Sequence, residues 1–261
     1  LTITGITQNT GNITVANTGN LTTSGAISTA ANGNISLTAV GGIETIGAAV
    51  TAGGSGTINL TTTGGTNALL IQNAVNSTSG AITANSAGVI TESGAGLFGT
   101  SGLLTTTSLG GETLNGANTV GSFNATNTSS GNIALTNAAS LLTITGISQT
   151  GTGTVTINNT GALTTSGAIT TTGTGLMSLI ASGAETIGAN ITATAGPANI
   201  LLNAGGILNQ TAGIISGALL TTMSSGGTTL NNANAVTGFN ATNSTSGNIA
   251  LTNIAAPLTI T

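Results

Sequence analysis

A short frame that recurs about every 23 residues constrains the fold of this chain more than any other feature. The frame is a Gly or another small residue, one further residue, and then two aliphatic side chains separated by one position. It reads GNITV at Gly11, GNISL at Gly33, GTINL at Gly56, and GNIAL at both Gly131 and Gly247. A fixed period of this length is typical of solenoids, in which each repeat forms one turn of a continuous stack. Two longer steps of about 50 residues are interpreted as double units whose middle member has degenerated.

The aliphatic residues of the frame alternate with other residues, and this is the period of a β-strand. Ile13 and Val15 show the pattern, and LTTSGAIST at Leu21 indicates a second short strand in the same repeat. Good helix formers are almost absent, while Gly and Asn interrupt the pattern every few residues. We therefore predict an all-β fold, a right-handed parallel β-helix (β-solenoid) of about eleven coils of about 23 residues, stacked at ~4.8 Å.

The register of the frame predicts which side chains point into the stack. The residues expected inside are Ile13, Ile35, Ile58 and Ile82 in one column, and Ile133, Val155, Met177 and Ile200 in another. Since successive side chains of a strand point to opposite faces, Ser36, Asn59 and Ala134 are expected to point outward.

A longer repeat contains the short one. LTITGI at Leu1 returns at Leu142, and LTIT opens again at Leu258. We predict one β-helix segment over 1–261, in which 1–141 is a long repeat of six coils, 142–257 one of five coils, and 258–261 the start of a third. Since the first and last residues fall at the same point of this repeat and carry no capping segment, we expect further coils of the same polypeptide, or copies stacked end to end or laterally.

The composition fits a stacked fold and excludes several partners. The chain has 42 Gly, no Lys, Arg, His or Cys, and only four charges, all of them Glu. Equivalent residues of neighbouring coils lie directly above one another, so like charges would repel, whereas Thr, Ser and Asn can form hydrogen-bonded ladders. Without basic residues, nucleic acid or an anionic membrane has no electrostatic attraction to the chain. No apolar run is long enough for a transmembrane helix.

The acidic residues are too few and too scattered for the usual chemistry of enzymatic β-helices. They are Glu44, Glu92, Glu112 and Glu185. In the alignment of the long repeats, Glu92 falls opposite Asn209 and Glu112 opposite Thr228, so only Glu44 and Glu185 correspond. We interpret all four as solvated residues at coil edges. We predict no enzyme, and no catalytic, cofactor-binding or metal-binding residue, because Asp for calcium β-rolls and His or Cys for transition metals are absent.

Thr-x-Thr pairs, such as Thr2 and Thr4, raise the alternative of a binding face for ice or glycans. A face that carries the same outward Thr on most coils would favour such binding, whereas a face that varies between coils would favour a scaffold. The pairs are interpreted as changing register from coil to coil.

Together, GNISL, GGIETIGAAVTA and FNATNTSSGNIALTN resemble the repeat regions of large bacterial exoproteins of the filamentous-haemagglutinin type. The resemblance implies a right-handed β-helix shaft, export by two-partner secretion, and a place outside the cell or on the bacterial surface. It also implies that receptor sites for host cells, glycans or matrix lie outside this segment. We therefore expect a structural shaft of a secreted or surface-exposed adhesin or extracellular filament; the alternative is a binding module with a Thr/Asn-rich face for glycan or ice.

Overall fold

The computed structural model describes residues 1–196 and 198–261 as parallel strands stacked in a β-solenoid of about 12 turns, spaced by about 22 residues. The described residues contain no helix. The predicted all-β parallel solenoid is therefore confirmed, with about one turn more than the predicted eleven.

The chain forms two compact units. The first comprises Leu1–Ser129 and Leu135–Asn137, and the second comprises Ser130–Ala134 and Ala138–Thr261. The strands from residue 1 to residue 129 are β1 (Thr2–Ile3), β2 (Ile6–Gln8), β3 (Ile13–Thr18), β4 (Leu21–Thr23), β5 (Ile27–Thr29), β6 (Ile35–Val40), β7 (Glu44–Ile46), β8 (Val50–Ala52), β9 (Ile58–Thr63), β10 (Leu69–Ile71), β11 (Ala74–Ser77), β12 (Ile82–Asn85), β13 (Ile90–Glu92), β14 (Leu97–Ser108) and β15 (Glu112–Asn127).

The remaining strands continue the same pattern. They are β16 (Ile133–Asn137), β17 (Leu141–Gln149), β18 (Val155–Asn159), β19 (Ala162–Thr165), β20 (Ile169–Thr171), β21 (Met177–Ala181), β22 (Glu185–Ile187), β23 (Ile191–Ala193), β24 (Ile200–Ala204), β25 (Leu208–Gln210), β26 (Ile215–Ser224), β27 (Thr228–Asn243), β28 (Ile249–Asn253) and β29 (Thr259–Ile260).

Each turn contributes one strand to each of three parallel faces. In the first unit, face A stacks β3, β6, β9, β12 and the ends of β14 and β15. Face B stacks β1, β4, β7, β10, β13 and the start of β15. Face C stacks β2, β5, β8, β11, the start of β14 and the middle of β15.

The second unit has the same three faces. Face A contains β18, β21, β24 and the ends of β26 and β27. Face B contains the start of β17, β19, β22, β25 and the start of β27, and face C contains the end of β17, β20, β23 and parts of β26 and β27.

The predicted inward columns form the core. On face A of the first unit, Ile13, Ile35, Ile58 and Ile82 pair in succession, and the column continues to Leu104 and Phe123. In the second unit, Val155, Met177 and Ile200 pair in the same way, and the backbone N–H of Ile133 donates to the carbonyl of Thr154. All the predicted members are buried, while Ser36, Asn59 and Ala134 are partly exposed. The predicted register is confirmed.

Polar residues join one turn to the next at the corners. The Asn34 side-chain oxygen accepts hydrogen bonds from the backbone N–H of Thr57 at 2.8 Å and from its hydroxyl at 3.0 Å. One turn earlier, Asn12 accepts the N–H of Asn34 at 2.9 Å. Gly25 lies so close to the preceding turn that a Cβ there would be 1.9 Å from the carbonyl oxygen of Thr4. Asn therefore supplies the ladders expected from composition, and Gly permits the closest approach between turns.

The interpretation of the second 50-residue step as two whole turns is wrong. In the second unit, Val155, Met177 and Ile200 hold the frame on face A, and that column continues through Leu220 to Phe239. The next GNIAL, however, places Ile249 beside Thr228 on face B. Ile260 then pairs with Phe239 on face A. Shorter turns after Ile200 have therefore moved the frame from one face to the next.

Candidate functional site

Face B carries a single column of outward threonines in each unit. Most central strands of this face, such as β4 and β7, have three residues, of which the first and third point inward, so only the middle one faces out. In the first unit the outward residues, in register, are Thr2, Thr22, Thr45, Leu70, Thr91 and Thr113. In the second unit they are Thr143, Thr164, Thr186, Asn209, Thr229 and Ala250. Because this column holds single threonines rather than Thr-x-Thr pairs, the interpretation that the pairs change register from coil to coil stays a prediction.

The outward residues of the other two faces vary. On face A of the first unit, one outward column is Thr14, Ser36, Asn59, Thr83, Thr105 and Asn124, and a second is Ala16, Thr38, Thr61, Asn85, Thr107 and Thr126. On face C the column is Thr7, Ser28, Thr51, Asn76, Gly99 and Thr119. These side chains are neutral, but their size and hydrogen-bonding groups change from turn to turn. In the first unit, face B therefore presents the most regular of these columns, with five threonines among six residues at the ~4.8 Å step of stacked strands.

A shallow, open groove lies on face C of each unit. The volumes are about 310 Å³ in the first unit and 450 Å³ in the second. The first is lined by Thr51, Asn76, Gly99 and Thr119 among others, and the second by Thr194, Ser216, Gly217 and Thr237 among others. The lining offers hydroxyl and amide groups but neither charge nor aromatic surface, so hydrogen bonding is the chemistry available there.

The interpretation of the glutamates as solvated edge residues is wrong. Glu44, Glu112 and Glu185 are at most 1% exposed, and Glu92 is partly buried. Glu44 pairs with Leu21 on one side and Leu69 on the other, within the inward column of face B. Three of the four acidic side chains thus occupy core positions, where an ionised carboxylate is strongly disfavoured.

Glu44 and Glu185 correspond, as predicted, and both lie between leucines. Glu185 is flanked by Leu163 and Leu208, and neither of its carboxyl oxygens has a hydrogen-bond partner. Burial raises the pKa of Glu185 well above its ordinary value. Burial likewise raises the pKa of Glu44 to about 9, against a smaller lowering by the N–H of Thr61, which donates to Oε2 at 3.0 Å. Glu44 is therefore protonated at neutral pH, and burial favours the protonated form of Glu185 in the same way.

Glu112 is a second buried carboxyl group, besides Glu185, in which neither oxygen is hydrogen-bonded. It follows Ile90 in the column of face B, and neither oxygen meets a donor with hydrogen-bonding geometry. Burial raises the pKa of Glu112 to about 8, and the nearby Thr106 hydroxyl lowers it slightly in opposition. Because the geometry leaves both oxygens unpaired, we regard Thr106 as a weak polar neighbour rather than a partner.

Glu92 has better partners. Its Oε2 accepts the backbone N–H of Gly116 at 2.7 Å and the side-chain amide of Asn118 at 3.0 Å, while Oε1 is buried without a partner. Burial raises the pKa of Glu92 to about 7, and these two hydrogen bonds limit the rise. At neutral pH this group is therefore near half-protonation.

The second unit shows which neutral side chains replace two of these carboxyls. On face B, Glu92 lies one turn after Ile71 in the first unit, and Gln210 lies one turn after Ile187 in the second. The structural equivalent of Glu92 is therefore Gln210, and the predicted alignment of Glu92 with Asn209 is wrong by one residue. The alignment of Glu112 with Thr228 is confirmed, since they pair with Ile90 and Leu208. The sequence did contain a signal for the inward position of Glu44, because Glu44 in IETIG has the position that Leu21 has in LTTSG.

Within residues 1–196 and 198–261, no three acidic side chains lie close enough together to hold a metal ion. In the same residues, no helix has the length and apolar character needed to cross a membrane. Comparisons with protein-family models, curated proteins and solved structures found no match to the chain.

Proposed function

We propose that this chain is a structural shaft segment, which spaces and presents other parts of an extracellular or surface-exposed bacterial adhesin or filament. The observation that carries the proposal is the in-register pairing of successive turns on three faces within each unit. Bending such a stack would separate strands on at least one face and break their backbone hydrogen bonds. A segment built this way resists deformation with neutral side chains alone.

The length difference between the long repeats supports the same function. The first long repeat has about 25 residues more than the second, which is close to one turn. A scaffold that only has to span a distance tolerates the loss of a turn, because each turn contacts only its neighbours.

The likeness of GNISL and FNATNTSSGNIALTN to filamentous-haemagglutinin-type repeats adds the location and the partners to the proposal. In this function the ends of the segment join further coils, of the same polypeptide or of stacked copies. Contacts with host cells, glycans or matrix are made by other regions. The segment has no catalytic role and uses no cofactor.

The test is mechanical. The intact chain is held at its two ends in an atomic force or optical-tweezers experiment. A shaft yields in steps that each release about one turn, roughly 70 Å of extended chain for 22 residues. A chain that extends smoothly at low force, without steps of this size, would contradict the proposal.

A second candidate function, binding of ice or a glycan, is favoured by one observation. Face B repeats the same outward threonine on most turns of each unit, for example at Thr22 and Thr45. A regular column of hydroxyl and methyl groups can order water or meet a repeating polymer. The column is a single file, however, because the central strands of this face expose one residue each.

A charge in the column distinguishes the two functions. Thr45→Lys would interrupt face B, and Thr38→Lys, on face A, is the matched control. If the chain binds ice or a glycan through this column, Thr45→Lys abolishes inhibition of ice recrystallisation or retention on a glycan array, and Thr38→Lys does not. If the wild-type chain shows neither activity, the second candidate fails and the shaft proposal is unaffected.

A further inference from the structure

We propose that the buried carboxyl groups of Glu44, Glu92, Glu112 and Glu185 make the stability of this solenoid depend on pH. The strands stay paired while these groups are protonated. As the pH rises and the protons are lost, the solenoid opens by local unfolding, first in the unit of Leu1–Ser129.

Three of the four carboxyl groups lie in sites with too few hydrogen-bond donors to stabilise an ionised carboxylate. Glu185 lies between Leu163 and Leu208 with both oxygens unpaired, and Glu112 also has two unpaired oxygens. Glu44 has one oxygen on the N–H of Thr61 and the other without a partner. An ionised carboxylate in such a site has lost water without gaining compensating donors, so loss of the proton favours opening.

No other titratable side chain can mask this effect. The neighbours of Glu44 on face B are leucines, those of Glu185 are also leucines, and Glu112 follows Ile90. Glu92 faces the amide of Asn118 and the N–H of Gly116. The whole sequence contains no Lys, Arg, His, Cys or Tyr. The four glutamates are therefore its only titratable side chains.

The sign of the effect follows from proton linkage. The pKa of each group is higher in the folded chain than its ordinary value of 4.5. Stability from the protonated form is thus complete below about pH 4.5 and is lost as the pH rises toward the folded pKa. The pH window in which this stability is lost begins near pH 4.5 and ends near pH 7 for Glu92, pH 8 for Glu112 and pH 9 for Glu44. Within its window, each group raises the opening constant about tenfold per pH unit.

The two units differ in the number of such groups. The first holds Glu44, Glu92 and Glu112, whereas the second holds Glu185 alone. Between pH 5 and pH 7 the opening constant of the first unit is therefore expected to rise by up to about a thousandfold per pH unit, and that of the second about tenfold.

The experiment is hydrogen exchange of the intact chain, followed by mass spectrometry at pH 5, 6, 7 and 9. Peptides are assigned to each unit, and rates are corrected for the intrinsic pH dependence of exchange. The test variant is Glu44→Gln/Glu92→Gln/Glu112→Thr, because Gln210 and Thr228 already occupy two of these places in the second unit. We expect the wild-type first unit to open steeply with pH, and the triple variant to lose this slope there while the second unit keeps its own.

A matched variant, Glu185→Gln, keeps the proposal testable if the triple variant does not fold. It should remove the tenfold slope from the second unit and leave the first unchanged. A wild-type chain whose corrected exchange does not depend on pH would overturn the proposal. So would variants that keep the wild-type slopes, or a second unit that opens before the first.

Discussion

The side-chain amide of Asn118 donates a hydrogen bond to Oε2 of Glu92 across 3.0 Å. In the second unit the same two places hold Asn234 and Gln210, whose side chains exchange hydrogen bonds of 2.8 and 3.0 Å. One repeat thus has a carboxyl group where the other has an amide of nearly the same shape. A site that accepts Gln accepts the protonated form of Glu with little rearrangement, because both are neutral.

The core register is tested by two adjacent positions. Ile58 lies between Ile35 and Ile82 in the face A column, whereas Thr57 is exposed at the corner. Ile58→Asp places an unpaired charge in that column and should lower the free energy of unfolding by several kcal/mol. Thr57→Ser keeps the hydroxyl bound to Asn34 and should have almost no effect. Thermal unfolding of both variants is the measurement, and equal melting temperatures would show that the register is wrong.

Removal of a carboxyl group from the core should stabilise the fold. Glu185→Leu would complete a leucine column with Leu163 and Leu208, and would remove two unpaired buried oxygens. At pH 5, where the group is protonated, we expect a gain of about 1–3 kcal/mol in unfolding free energy, measured by urea titration. The control is Thr186→Ser on the outward side of the same strand. A loss of stability in Glu185→Leu would mean that the carboxyl has a partner.

The asparagine ladder should contribute through its oxygen rather than through its size. Asn34→Ala removes the acceptor of two hydrogen bonds from Thr57, at a corner that water can reach. A loss of about 1 kcal/mol is expected. Asn34→Asp retains an acceptor in the same place and should lose less. The measurement is the unfolding free energy of the two variants by urea titration. A larger loss for Asn34→Asp than for Asn34→Ala would rule out the acceptor role.

Close contact between turns should make one glycine irreplaceable. A Cβ at Gly25 would lie 1.9 Å from the carbonyl oxygen of Thr4, so Gly25→Ala must displace backbone. We expect a loss of about 2 kcal/mol or more. At Gly11 the nearest atoms belong to the side chain of Gln8, 3.1 Å away, and this side chain can move. Gly11→Ala is therefore the control, and calorimetry should show a much smaller change in melting temperature.

The sequence predicted the columns of the core because alternation of aliphatic and polar residues is a local property of each strand. Ile13, Ile35 and Ile58 could be placed inward without any knowledge of the third dimension. The glutamates could not be placed by the same rule, since it assigns every ionisable residue to the outside. Only comparison of Glu44 with Leu21 and Leu69, one turn before and one turn after, shows that this position is inward.

The site on face B was missed for a different reason. Its threonines are separated by unequal steps, 20 residues from Thr2 to Thr22 and 23 residues from Thr22 to Thr45, so the column does not follow a strict period in the sequence. Turns of unequal length bring them into one column, because the corners absorb the extra residues. The length of each corner depends on packing between turns, and a short stretch of sequence does not contain that information.

The displacement of Ile249 from face A to face B also limits what gene duplication can do in this fold. A copied segment that ended after a whole number of turns would lay each new motif directly above the old one and lengthen a single stripe. Here the second copy of the GNIAL motif lies on the neighbouring face, face B. Duplication of the long repeat therefore spreads a surface residue around the circumference, whereas a patch on one face is lengthened by adding single turns or by substitutions within a repeat.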